Sequence, residues 1–148
     1  MNPRFKFETP VHGWMTISVS IDEREWSFDV SDAVVDSLDL LSKSLLRLHV
    51  GSPREKVEWF LEPEWLCWSF AVEGEEVTME CSLENGSETV FSIQLQRACL
   101  LQRMASALKT LQERTCWTEA GAYEKNWSWE FPTKSLEDLW LGLPRESG

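Results

Sequence analysis

Apolar residues alternate along two blocks of this chain and recur at helical spacing in two others. Met15, Ile17, Val19 and Ile21 alternate with Thr16, Ser18 and Ser20. After Asp22-Glu23-Arg24-Glu25, Trp26, Phe28 and Val30 return against Ser27 and Asp29. Successive strand side chains point to opposite faces, so this predicts a hairpin with one apolar and one polar face. The second block, 56–83, holds three such runs. Val57, Trp59 and Leu61 oppose Glu58 and Glu62, with Phe60 breaking the alternation and suggesting cover on the second face. Leu66, Trp68, Phe70 and Val72 oppose Trp65, Cys67, Ser69, Ala71 and Glu73. Val77, Met79, Cys81 and Leu83 oppose Glu76, Thr78, Glu80 and Ser82. Pro63 falls between two runs, where a missing amide breaks no ladder. Gly74 supplies positive φ for a tight turn. Asn85-Gly86, a strong hairpin signal, leads to a fourth run at 88–95 with Thr89, Phe91, Ile93 and Leu95 on one face. Links this short require antiparallel neighbours.

Val34, Leu38, Leu41, Leu45 and Leu48 form a stripe of helical period, with Ser31 or Asp32 as the expected cap. Acids crowd its start and Lys43, Arg47 and His49 its end, as the helix dipole prefers; Gly51 and Pro53 stop it. A second helix is expected over 97–115, with Leu101, Met104, Ala105, Leu108 and Leu111 as its stripe. In the tail, Trp117, Tyr123, Trp127, Trp129 and Phe131 lie among Gly121, Asn126 and Pro132, and Ser135 is placed to cap a short helix over 136–141. Residues 1–12 read as an extended arm. The pattern predicts a single α+β domain over 1–148, in the order ββ-α-ββββ-α plus an irregular Trp-rich tail. It has about six antiparallel strands, with both helices on the apolar face and the other face polar.

With 43% hydrophobic residues and nine Trp, the chain is not a disordered one, and its 148 residues suffice for a substantial core. The formal net charge is −11, and it is uneven: −3 over 1–50, −8 over 51–96 and zero over 97–148. Such a field repels nucleic acid and anionic membranes and steers basic partners in. Acids on a wet sheet face also serve solubility and protect edges. Cys67, Cys81, Cys99 and Cys116 show no CxxC or metal spacing. The first ten residues lack the apolar core of a signal peptide, and no apolar run approaches the roughly 20 residues a membrane helix needs. Reduced, mostly buried thiols in a cytoplasmic protein are therefore expected, a disulfide between neighbouring strands being the alternative.

Candidate chemistry is sparse. His12 in the arm and His49 at a helix end sit in no recognisable nucleophile–base motif. Asp36 and Asp39 share a helix face but read as solvated acids rather than metal ligands. No phosphate-binding loop, dinucleotide fingerprint or nucleophile elbow occurs, so no cofactor, metal or catalytic residue is assigned. Trp14 and Trp65 fall out of phase with the apolar faces of their strands, and Trp127 and Trp129 lie in the tail, which raises the question of exposed Trp anchors.

These features favour a non-catalytic acidic protein-binding module, with Glu58, Glu62, Glu64, Trp65, Glu76 and Glu80 as the surface that docks a basic protein. In size, charge and α+β build, across the whole chain, it resembles the small acidic immunity proteins that neutralise bacterial polymorphic toxins. No single motif carries that likeness. It implies carboxylates presented where a basic toxin or nuclease would hold phosphates, and it assigns no site residue. One alternative is a small enzyme or a carbohydrate or small-molecule binder. It would use the Glu62 to Trp68 region, where two carboxylates flank Pro63 beside two Trp as in many sugar sites. Another is a structural or oligomeric subunit with an apolar self-complementary patch.

Overall fold

In the computed structural model, which describes residues 2–83, 88–118 and 121–143, seven strands form one antiparallel sheet in chain order. They are β1 (Arg4–Phe7), β2 (Trp14–Ile21), β3 (Arg24–Ser31), β4 (Arg54–Phe60), β5 (Trp65–Glu73), β6 (Glu76–Leu83) and β7 (Glu88–Gln96). The helices are α1 (Ser37–His49), α2 (Arg97–Gln112), α3 (Ala122–Asn126) and α4 (Thr133–Gly142); a π-helical turn, Glu113–Thr118, extends α2. The α+β class, the antiparallel sheet and helices packed on it are as the sequence predicts.

The strand count is seven, not six, because the expected arm contains β1. Phe5 and Phe7 turn inward opposite Val19 and Ile17, while Arg4 and Lys6 face out. Four residues offer too few alternations to stand out from an extended arm; pairing with β2 makes them a strand. Residues 88–96 need a second correction. A register shift between Cys81 and Ser82 pairs Phe91 with Cys81 but Thr89 with Ser82, so Thr89 joins the outer face. The Asn85-Gly86 turn lies outside the described residues. Gly74, at φ 63°, makes the β5–β6 turn as expected.

Helix α1 starts one turn later than predicted, and the reason is Asp32. Its amide donates to Gly13 O (3.0 Å), its carboxylate accepts from Ser128 N and Oγ (2.8 Å each), and its carbonyl accepts from Trp129 Nε1 (2.8 Å). Spent on the tail, Asp32 does not cap. Val34 is left-handed (φ 73°) and 73% exposed rather than part of the stripe. Asp36 caps instead, accepting from Asp39 N at 3.2 Å. Leu38, Leu41, Leu45 and Leu48 then bury fully, as the periodicity requires. Helix α4 by contrast starts earlier than predicted, at Thr133 rather than Leu136, and buries Leu136 and Leu139.

The sheet is bent round on itself. Phe5 and Phe7 of β1 lie 6.4 Å, ring to ring, from Trp68 of β5, and Trp26 of β3 lies 4.9 Å from Phe91 of β7. Four strand spacings in a flat sheet would put them roughly 19 Å apart. The bend falls between β3 and β4, which share only the Ser31–Phe60 pair. Helix α1 packs on β4 and α4, tied to β4 by Ser37 Oγ donating to Glu58 O (2.6 Å), and α2 packs on β1. Among the described residues, no helix is long and apolar enough to cross a membrane.

Candidate functional site

The outer face of β4–β7 follows from strand phase. Cross-strand rows run Lys56–Ser69–Glu80–Ser92 and Glu58–Cys67–Ser82–Thr89, with Phe60 opposite Trp65 at one end and Glu73 opposite Glu76 at the other. Glu58 and Glu80 therefore sit diagonally about Cys67 in the middle of the face. Lys56 Nζ lies 3.5 Å from Glu58, both half exposed, an ion pair that water largely screens. Glu80 accepts from Thr89 Oγ1 (3.3 Å) and Glu76 from Gln94 Nε2 (2.7 Å). Both donors are neutral, so the two carboxylate charges stay uncompensated.

The rings of Phe60 and Trp65 lie 4.6 Å apart on this polar face, each partly covered by the other. This accounts for the broken alternation at Phe60. The exposed Glu62 and Glu64 follow in the turn, closed by Leu61 N donating to Glu64 O (2.7 Å), with Glu62 at φ 57°. Of the six expected residues, Glu58, Glu62, Glu64, Trp65 and Glu80 thus share one end and the centre of a single surface. Glu76 stands at the far end of the strands, roughly 26 Å from Trp65 along the nine-residue β5. Within the stretch from Glu62 to Trp68 the two Trp part company: Trp65, half-buried, lies on the outer face against Phe60, and Trp68 goes to the core.

The thiols are placed for burial. All four are free, and burial pushes Cys67 up from its ordinary pKa, with Glu58 and Glu80 adding to the shift and Lys56 opposing it. Burial likewise pushes Cys81 up to about 12 and raises Cys116. Cys67 and Cys81 belong to opposite faces of the sheet. Glu55, behind the outer face, is raised by burial. Bonds from Ser52 (2.6 Å) and Arg47 (2.7 Å) outweigh that and hold it below the usual range.

A second acidic feature escaped the periodicity because the tail builds it. A cleft of about 770 Å³ runs between α1 and the tail, with Asp36, Asp39, Trp129, Glu130 and Asp138 on its walls. Two of its acids are matched internally, Asp39 by Lys43 (2.8 Å) and Asp138 by Lys134 (3.5 Å). Burial raises the Asp36 carboxyl, and it raises the nearby Tyr123 phenol as well. Of the four Trp in question, Trp14 and Trp129 are exposed, Trp65 is half-buried and Trp127 is buried. Trp117 is the most exposed Trp, 58%, and Lys109 Nζ lies 4.8 Å over its ring. The chain matches no protein-family model, no curated protein and no solved structure.

Proposed function

We propose that the chain is a protein-binding module whose outer sheet face docks a basic partner protein. The observation that carries this reading is the aromatic pair Phe60–Trp65 on a polar face, beside Glu58 and followed by Glu62 and Glu64. An aromatic anchor inside a carboxylate rim suits a Lys- and Arg-bearing surface: the rings supply buried area, and the rim supplies attraction and register. The face carries Glu58, Glu73, Glu76 and Glu80 against Arg54 and Lys56, and the two adjoining turns add Glu62, Glu64 and Glu75. No catalytic role is part of this reading. Four free thiols favour a cytoplasmic protein. An immunity protein that covers the basic surface of a toxin or nuclease is the form of binding module that the size, charge and build of the chain suggest.

The test is capture from the source lysate at low and high salt, with wild type and a Glu58→Lys/Glu76→Lys/Glu80→Lys variant as baits. Three Glu→Lys changes add two charges each and move the formal net charge from −11 to −5. A basic protein retained by wild type at low salt, and lost both at high salt and by the variant, supports the reading. Equal retention by both baits refutes the face as the interface.

A further inference from the structure

The two edges of the sheet are unlike. Strand β1 carries Arg4 and Lys6, and α2 packs against it, Arg103 Nη1 donating to Pro3 O (3.1 Å). A short charged edge of this kind resists pairing. Strand β7 has Trp26 of β3 against Phe91 on its inner side (4.9 Å between rings), but its hydrogen-bonding edge over 91–96 lacks such protection: the sequence FSIQLQ holds no charge and no proline and lies clear of the register shift.

The phase of this edge is fixed. Arg97 N donates to Glu75 O (2.8 Å), so the amides of Phe91, Ile93 and Leu95 point at β6, and those of Ser92, Gln94 and Gln96 point away. Among the described residues, no backbone group accepts from these three amides. We propose that the β7 edge pairs antiparallel with β7 of a second copy of this chain, about a two-fold axis at Ile93, and joins two seven-stranded sheets into one.

The edge sequence is complementary to itself in that register. Phe91 meets Leu95 of the second copy and Ile93 meets its twin on the inner row, while Ser92 meets Gln94 on the outer row. No charge opposes a like charge. The edge residues themselves carry no charge and match a second copy row by row, whereas a basic partner is drawn to the carboxylates of the outer face. Pairing also brings Glu76 and Glu80 of β6 toward their counterparts. Screening therefore strengthens this association, whereas it weakens the docking of a basic protein.

Sedimentation equilibrium of the full chain across micromolar concentrations, at low and high salt, tests the proposal. Gln94→Pro removes one outward amide at an edge position where proline is tolerated. Ser92→Glu/Gln94→Glu instead sets like charges opposite each other twice. The expected result is a wild-type dimer that tightens with salt and loosens about tenfold or more in each variant. Circular dichroism checks the fold, and if Gln94→Pro fails it the double-Glu variant decides alone. A wild type that stays monomeric at every concentration and salt overturns the proposal. So does a dimer that the folded variants leave intact, or a monomer whose edge is taken by another protein's strand.

Discussion

Asp32 holds the tail to the sheet, and replacing it by Ala measures that tie. Its carboxylate accepts from Ser128 N and Ser128 Oγ, both at 2.8 Å and both solvent-accessible. Carboxylate acceptors are stronger than neutral ones, but water competes at an exposed site, so each bond is assigned about 1 kcal/mol. Asp32→Ala then costs about 2 kcal/mol, because the backbone bonds to Gly13 and Trp129 survive. For a chain of this size that is a fall in Tm of roughly 4–8 °C. Asp32→Asn keeps a carbonyl acceptor without the charge and should lose about half as much. The assay is thermal and urea unfolding, joined to limited trypsin digestion at the exposed Lys125 of α3. Faster cleavage there is expected as the tail loosens. A Tm within a degree of wild type, with cleavage unchanged, would refute the assignment of the tail's docking to Asp32.

Glu55 gives a signed pH dependence. Its folded pKa lies below the usual 4.5, so its contribution is full above the unfolded value and is lost as pH falls through the folded one. Urea midpoints between neutral pH and pH 3 should therefore fall less steeply in Glu55→Gln than in wild type, and equal slopes would contradict the bonding described. The thiols give another: a thiol reagent at neutral pH should leave the buried Cys67 and Cys81 unmodified, Cys81 being pushed to about 12, until denaturant exposes all four. Rapid native modification of either would mean that the sheet opens there. Leu45→Ala, at a fully buried position of α1, should cost about 2–5 kcal/mol by calorimetry, and a loss under 1 kcal/mol would show that α1 is not clamped between β4 and α4.

Most of the fold was legible because its period is strict. The strands from β2 to β6 show alternation that burial follows almost residue by residue, and the leucines of α1 fall on one buried line. What escaped was tertiary. Strand β1 is four residues long and depends on β2 and α2 for its existence. Asp32 has the composition of a cap, but Ser128 and Trp129, nearly a hundred residues away, compete for its oxygens and win. The bulge opposite Cys81 moves Thr89 to the other face without leaving a trace in the alternation.

The candidate face was legible in part for the same reason. Strand phase alone puts Glu58, Trp65 and Glu80 outside, and phase alone sends Trp68 inside. Phase does not reveal that Phe60 and Trp65 cover each other. It also says nothing of how far Glu76 stands from the turn acids, since that depends on strand length and pairing. The α1–tail cleft is assembled from segments that share no period, so no pattern in the chain announced it.

The measurement that bears most directly on the central claim is the association rate of a captured basic partner with wild type and with Glu58→Lys/Glu80→Lys, followed across salt concentration. Acids that steer docking should give wild type a rate that falls steeply with salt, and the variant a rate about tenfold lower at low salt with a shallower dependence. Equal rates and equal salt slopes would contradict the claim and turn attention to the cleft around Trp129.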